Sequence, residues 1–495
     1  MSGSRVDARA GLPLLLAAWL AGGCAISPRY TRPADPVQTE YIKATTSLAG
    51  TEPAGTEPAG TEPAAGTEPT AVPHISLGSG PPEQWWTLLR SPEIDRLVSQ
   101  ALQNNQSVAA AKAHLAAARE RVRAARGAWY PEVEGAAGAQ RTRFSAPVLG
   151  SLAKDFPPFS AYTAGVQVSY DFDVFGATRS RVEEAAAAAQ YQSTQLAAVA
   201  LMVSGNVAIE ALRIATVRAQ IRVADQIVSD DEHMLSLIRA ARELGAVSEM
   251  DVLSAQSLLD HDRTLLAPLR QQLSEAQDML ADLIGLVPTA GPPTEMDLES
   301  LTLPESLPVA LPSELVRRRP DIGAAEAQLH AAGAAVGVAT AAMYPQFTLS
   351  ASLARAGLLG GSPSEAAWNL LGGMTAPLFR GGTLSAERWA AKAEYQAAFA
   401  TYQQTVLNAF SQVAASLQAL GNDTDLLKSQ QRALESASAS LTLTRQAYVG
   451  GDAGYVRVLD AERLNSEAQL GRVQADGQRY IDTVKLMLAA GGRVP

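Results

Sequence analysis

YTAGVQVSYDFDV, residues 162–174, decides how the rest of the chain is read. Tyr162, Ala164, Val166, Val168, Tyr170, Phe172 and Val174 alternate with Thr163, Gly165, Gln167, Ser169, Asp171 and Asp173. That is the period of a strand with one apolar and one polar face. Phe347, Leu349, Ala351 and Leu353 repeat it against Thr348, Ser350 and Ser352. With weaker partners at roughly 131–143 and 367–378, the pattern predicts two hairpins, 131–174 and 345–378, with loops near 144–160 and 356–366. A strand tilted near 45° crosses a bilayer in about 9–11 residues, the length of these runs. Four strands cannot close a barrel, because about eight is the practical minimum and lipid tolerates no open edge. Several chains would have to share one, and three would supply twelve strands. A soluble four-stranded sheet with one face on a core is the alternative.

Outward from the strands the period changes. Residues 97–129 and 313–343 are rich in Ala, Leu, Arg and Glu at helical spacing, and each ends at a Tyr-Pro (Tyr130-Pro131, Tyr344-Pro345) where proline stops a helix. Helical sequence resumes after Gly176 and after Gly381-Gly382. Residues 177–243 contain no proline and only Gly205, and 384–448 contain only Gly421. About 65 helical residues at 1.5 Å each make a rod near 100 Å long. Each rod reverses at glycine (Gly245; Gly450-Gly451) and returns as a second helix, 248–285 and 454–489, with Pro268 expected to kink the first return. Rods of that length must bury one another as a coiled coil. Alanine clusters such as Glu184-AAAAA-Gln190 allow close backbone approach.

The whole unit is written twice. LVSQALQNNQSVAAAKAHLAAARERVRAARGAWYPEV from Leu97 matches PSELVRRRPDIGAAEAQLHAAGAAVGVATAAMYPQF from Pro312, with the Tyr-Pro pairs offset by 214. GAVSEMDVLSAQ from Gly245 matches GDAGYVRVLDAE from Gly451 at an offset of 206, so the first copy carries the longer insertion between these landmarks. The expected organisation is a first repeat over 82–300 and a second over 301–490. Ordered structure is expected to begin near Trp85-Trp86.

Ahead of the repeats stands the only cysteine among 495 residues, Cys24. Arg5 and Arg9 precede an apolar stretch from Leu12 to Ala21, and Gly22-Gly23 lead into the thiol: the layout of an export signal over 1–23. Leu20-Ala21-Gly22-Gly23-Cys24 resembles a bacterial lipoprotein box, with Ala21 where leucine is usual, which makes Cys24 the acylated first residue of the mature chain. Between anchor and repeats, within 24–81, lies TEPAGTEPAGTEPAAGTEPT (51–70), whose regular prolines forbid helix and ladder and leave a tether. Past the signal, no run of about 18 apolar residues appears, so no hydrophobic membrane helix is expected.

Composition excludes several classes of function. A formal net charge of −10 argues against nucleic acid, and one cysteine rules out an internal disulfide. His74, His114, His233, His261 and His330 are scattered without metal-ligand spacing. No phosphate loop, nucleophile elbow or dinucleotide fingerprint is present, and Leu358-Leu359-Gly360-Gly361 reads as a loop tip. Asp171 and Asp173 fit lumen-facing strand positions, and Trp129 and Trp368 fall near strand ends, where an interfacial girdle or ordinary packing would place them.

Taken as a set, Ser27-Pro-Arg-Tyr-Thr-Arg-Pro33, Trp85-Trp86, LPSELVRRRPDI (311–322), the two Tyr-Pro turns, Pro377-Leu-Phe-Arg-Gly-Gly382 and Val458-Leu-Asp-Ala-Glu462 resemble the outer membrane factors. These are the TolC-like exit ducts of tripartite efflux pumps, and the match is to their lipoprotein, NodT-type branch. The resemblance implies a mainly α fold with a membrane β-barrel: four strands and long coiled-coil helices per chain. As a homotrimer these make a twelve-stranded barrel in outer membrane lipid and an α-helical tunnel in the periplasm. It implies docking onto a periplasmic adaptor and an inner-membrane transporter of the RND type, passive conduction with no chemistry, and no cofactor. It also places a gate at the tip of the inner helix pair: Val456 in the apolar ring and Asp460 in the acidic one. Their spacing of four puts them about one helical turn apart on one face. Asp251 and Arg457 occupy the same repeat position, so neighbouring tips could latch through opposite charges. The rival reading is a lipid-anchored periplasmic coiled-coil protein without a channel.

Overall fold

The computed structural model describes residues 30–34, 41, 74–78, 80–143, 157–287, 294–304, 306–359 and 365–494. Cys24, the TEPAG repeat and most of the two expected loops lie outside the described residues. In chain order the elements are β1 (His74–Gly78), a 3-10 turn (Trp85–Leu89), α1 (Pro92–Asn104), α2 (Gln106–Gly127), β2 (Glu132–Thr142), β3 (Phe159–Phe172), α3 (Ala177–Glu243) and α4 (Glu249–Leu283). The second copy follows as β4 (Ser306–Ala310), α5 (Pro312–Arg318), α6 (Pro320–Ala341), β5 (Gln346–Leu358), β6 (Glu365–Thr375), α7 (Thr383–Val449) and α8 (Tyr455–Ala489). Paired elements agree in length: α3 and α7 have 67 residues each, α4 and α8 have 35, and α2 and α6 have 22.

Two compact units result. One takes in the described residues of Met1–Pro33, His114–Gln192 and Ala324–Tyr402, and the other those of Ala34–Ala113, Ser193–Gly323 and Gln403–Pro495. The first holds a four-stranded antiparallel sheet in the order β2-β3-β5-β6. Its register aligns Val133 with Val168, Val168 with Ala351, and Ala351 with Leu370. One face is therefore a continuous apolar surface running through Val133, Val166, Val168, Leu349, Leu353, Trp368, Leu370 and Met374. The opposite face carries Glu134, Gln167, Ser169, Asp171, Thr348, Ser352 and Asn369, cross-linked by Thr348–Asp171 (2.9 Å) and Ser352–Asn369 (3.3 Å) hydrogen bonds. At the helical end, Phe175 stacks on Tyr344 (4.9 Å between centroids) and approaches Phe347, while Tyr170 meets Phe172 edge-on. Trp368, 78% exposed, stands near the start of β6.

The second unit holds the core of the helical body. β1, which precedes the first copy, and β4, in the second, pair in parallel, and Tyr41 donates to the Ala310 carbonyl (2.7 Å) beside them. Trp85 is fully buried and donates through Nε1 to Ser204 on α3 (3.3 Å). Gly477 is required by close approach, because a Cβ there would lie within 2.5 Å of the buried Thr216 side chain.

Several expectations are corrected. Described structure reaches ahead of Trp85, to residues 30–34, Tyr41 and β1, whose ladder partner β4 comes from far along the chain. The helices expected over 97–129 and 313–343 are each broken, at Asn105 and Arg319, which sit at equivalent repeat positions with extended ψ (127° and 124°). Each breaker turns its side chain onto the end of the returning helix: Asn105 Nδ2 donates to the Leu283 carbonyl (3.0 Å) and Arg319 Nη1 to the Ala489 carbonyl (3.1 Å). These bonds satisfy carbonyls that a helix C-terminus leaves without partners. β5 runs to Leu358 and β6 ends at Thr375, so the loop expected from 356 starts later. Asp173 is no strand residue: its carboxylate accepts from the backbone N–H of Thr178 (2.9 Å) and Arg179 (2.8 Å), capping α3. Finally, α3 contains an 18-residue window of mean hydropathy 1.5, apolar enough for a membrane span, of which 44% is buried. Pro268 lies inside α4 without dividing it.

Candidate functional site

The two helical hairpins end in tips built on one plan with different side chains. In the first, α3 stops at Glu243, Gly245 adopts φ 75°, and Ala246 N–H bonds back to the Ala241 carbonyl (2.9 Å). In the second, α7 stops at Val449, Gly451 adopts φ 82°, and Asp452 N–H bonds to the Ala447 carbonyl (2.8 Å). Only glycine takes such a left-handed C′ position without penalty.

The differences begin one residue on. Ser248 opens α4 with a full capping box: its hydroxyl accepts from Asp251 N–H (3.3 Å), and Asp251 Oδ2 accepts from Ser248 N–H (2.9 Å). An Arg242–Glu249 ion pair ties the two helices. At the equivalent positions of the second tip, Gly454 caps α8 without a side chain, and Tyr448 and Tyr455 face each other with ring centroids 5.6 Å apart. Glycine at a cap position costs only a few tenths of a kcal/mol relative to serine, so the two tips differ more in the direction of their contacts than in cap strength.

Val456 and Asp460 both lie on the exposed face of α8, Val456 at 59% exposure. The neighbouring Tyr455 and Val458 turn inward and join Val228, Leu235, Ile238, Val252, Leu259 and Leu441 in one apolar cluster. Asp251 is committed to its cap and lies close enough to Tyr448 to help raise that phenol's pKa, after burial. Arg457 is exposed, and among the described residues no ion pair joins it to Asp251 within the chain.

Behind the tips, the packed seam of α3, α4, α7 and α8 holds a charged layer that sequence reasoning missed. Asp231 on α3 and Asp262 on α4 are buried side by side where the adjacent Glu232 and Arg263 bridge the same two helices (2.7 Å), and among the described residues Asp231 Oδ2 has no hydrogen-bond partner. Asp231, Asp262 and Glu462 are 8%, 5% and 6% exposed. Glu462 on α8 accepts from Arg445 on α7 at 3.0 Å. Burial pushes Asp231 up to about 8, reinforced by the adjacent Asp262 and by the charges of Glu462 and Asp230. Burial likewise raises Glu462, against the pull of Arg445. The signal was present in the spacing: Val228, Asp231, Leu235 and Ile238 step by three, four and three, a coiled-coil seam with a carboxylate in it. A second pair lies farther from the tips. Burial and a bond to Asp482 push Asp423 up to about 6, whereas bonds from Lys485 and Gln478 outweigh burial and hold Asp482 low.

Among the described residues, no group of three or more His, Cys, Asp or Glu is arranged to hold a metal ion. The architecture therefore offers surfaces, strand edges and helix tips. A family model described as outer membrane efflux protein matches residues 97–286 and 311–492. The chain is 33% identical to a pyoverdine export outer membrane protein, OpmQ of Pseudomonas aeruginosa, over 83% of this chain and 87% of that one. It is 26% identical to a probable outer membrane lipoprotein, SilC of Salmonella typhimurium, over 96% of each. The solved outer-membrane channel OprN superposes with a TM-score of 0.83 at 26% identity, covering 95% of this chain and 99% of that one.

Proposed function

The chain belongs to the outer membrane efflux protein family, and on that premise we propose that three copies assemble into one twelve-stranded exit duct of a tripartite pump. The protein is an efflux channel of the outer membrane with a TolC-like fold. One observation carries the assembly: β2 and β6 are both open edges, and the apolar face between them is bare. Each unpaired backbone group in lipid costs several kcal/mol, so edges of 11 residues cannot stay open there. Joining β6 of one copy to β2 of the next removes every edge. The polar face of the sheet then lines a wet lumen and the apolar face meets lipid.

The remaining roles follow from that assembly. Residues 82–300 and 301–490 act as the two repeats, and Cys24 carries the lipid that anchors the mature chain. The tips meet a periplasmic adaptor fed by an inner-membrane transporter, which supplies the energy. Val456 and Asp460 form the constriction, three aspartates converging where their mutual repulsion is relieved by cations or protons. Asp251 and Arg457 of adjacent copies pair at the tip. Conduction is passive, without a catalytic step. Planar-bilayer recording on the purified protein tests this: stepwise conductance from a heat-modifiable trimer is expected, and a non-conducting single subunit overturns it.

A further inference from the structure

The carboxyl pair behind the first tip has no counterpart in the second repeat. Positions equivalent to Asp231 and Asp262 are Ala437 and Ala468, so the same helical hairpin is built without any polar group there. Two acids have been placed together where two alanines suffice, and Asp231 keeps an oxygen that no donor reaches.

Among the described residues, the surrounding charges leave two of three buried carboxyls without a cation. From α8 come Glu462 and the Tyr455 hydroxyl, whose ionisation is pushed up by burial and then by Glu462 and Asp231. From α7 comes Arg445, already bonded to Glu462. On α3 the neighbouring Asp230 accepts from Gln226 (2.9 Å), and Glu232 holds Arg263 (2.7 Å). On α4, Arg263 also contacts Asp260 (3.4 Å), so the nearest guanidinium of that helix is taken up at the surface. His233 and His261 sit on the same two helices, exposed. Three buried carboxyls thus share one cation, and two ionised carboxylates cannot hydrogen-bond each other without a proton.

We propose that Asp231 and Asp262 hold one proton between them, and that this proton clamps α3 to α4 beneath the first tip and releases the hairpin as pH rises. The clamp is internal to one hairpin, distinct from the constriction proposed on α8, and does not depend on conduction.

The sign follows from linkage. The clamped pair keeps its proton up to about pH 8, whereas a water-exposed aspartate loses it near pH 4. Opening therefore becomes easier across that window, by up to about tenfold per pH unit, and levels off above it. The test is hydrogen–deuterium exchange on the full mature protein in detergent from pH 5 to 9, corrected for intrinsic exchange chemistry. H233Q/H261Q serves as the background, to remove the exposed imidazoles. Peptides spanning 225–265 should open progressively up to pH 8 in the background protein. D231N, or D262N should the former not fold, should abolish the slope, since one amide supplies the bridging hydrogen at every pH. Equal slopes in the background protein and either asparagine variant, or no slope in the background protein, overturn the clamp.

Discussion

Removing the guanidinium of Arg445 gives the sharpest test of the seam. Arg445 bonds Glu462 at 3.0 Å, with side-chain exposures of 45% and 7%. Breaking a fully buried pair from one side costs roughly 3–5 kcal/mol, because a charge is left uncompensated. Here the arginine is half in water, so screening reduces the figure to about 1–2 kcal/mol. R445M keeps most of the side-chain bulk and strands the glutamate. Local opening of the second hairpin, read as hydrogen exchange over 440–465 at pH 7.5, should rise about 5–30-fold. Burial already raises the Glu462 pKa, and losing Arg445 raises it further. The cost is therefore present at neutral pH and fades on acidification as the carboxyl becomes neutral. R445M/E462Q should recover wild-type protection at pH 7.5. The first repeat pairs its arginine with an uncharged partner at the equivalent positions, Arg239 bonded to Gln256 at 2.6 Å. If R445M and the double variant exchange equally fast at both pH values, the loss comes from packing and the electrostatic argument fails.

Two further outcomes bear on the assembly. D460A should leave the trimer intact and raise single-channel conductance; unchanged conductance removes Asp460 from the constriction. V166R puts a charge at the centre of the apolar face of β3, at about 2–4 kcal/mol per chain near the bilayer midplane. It should abolish the heat-modifiable trimer on gels, whereas Q167R, one residue on and facing the other way, should preserve it. Equal behaviour of the two would place lipid on neither face.

What the sequence made legible was what depends on period and on punctuation. The alternation over 162–172 and 347–353 found the two central strands. Gly245 and Gly451 marked the reversals because a positive φ leaves few other residues eligible. What stayed hidden depends on a partner distant in sequence. β1 is a strand only because β4 lies beside it, 231 positions away by the Ser76–Leu307 contact. Asn105 and Arg319 break their helices because carbonyls at Leu283 and Ala489 need donors, which no local window reveals. Asp173 continued the alternation by chance and was taken for a strand residue, although an acid just ahead of Gly176 and a long helix is also a capping signal. Asp231 was readable from its heptad position, but a seam must be aligned with its neighbours before a buried carboxylate stands out.

Duplication makes the two hairpins each other's control, and three differences between them run in one direction, although the layer holding Arg445–Glu462 in the second and Arg239–Gln256 in the first runs the other way. The first tip has a capping box, a cross-helix ion pair and a carboxyl pair behind it. The second has a glycine cap, two tyrosines in tilted contact and alanines in place of that pair. Each substitution exchanges a directional polar contact for a non-directional apolar one. Apolar contacts tolerate sliding of one helix past another, whereas a capping box holds only at a single register. The first hairpin is thus fixed at its tip and sensitive to protons, and the second is free to shift along its neighbours while keeping its core filled. An element that must move during conduction is better drawn from the second design. That is the hairpin carrying Val456 and Asp460, the residues proposed above for the constriction.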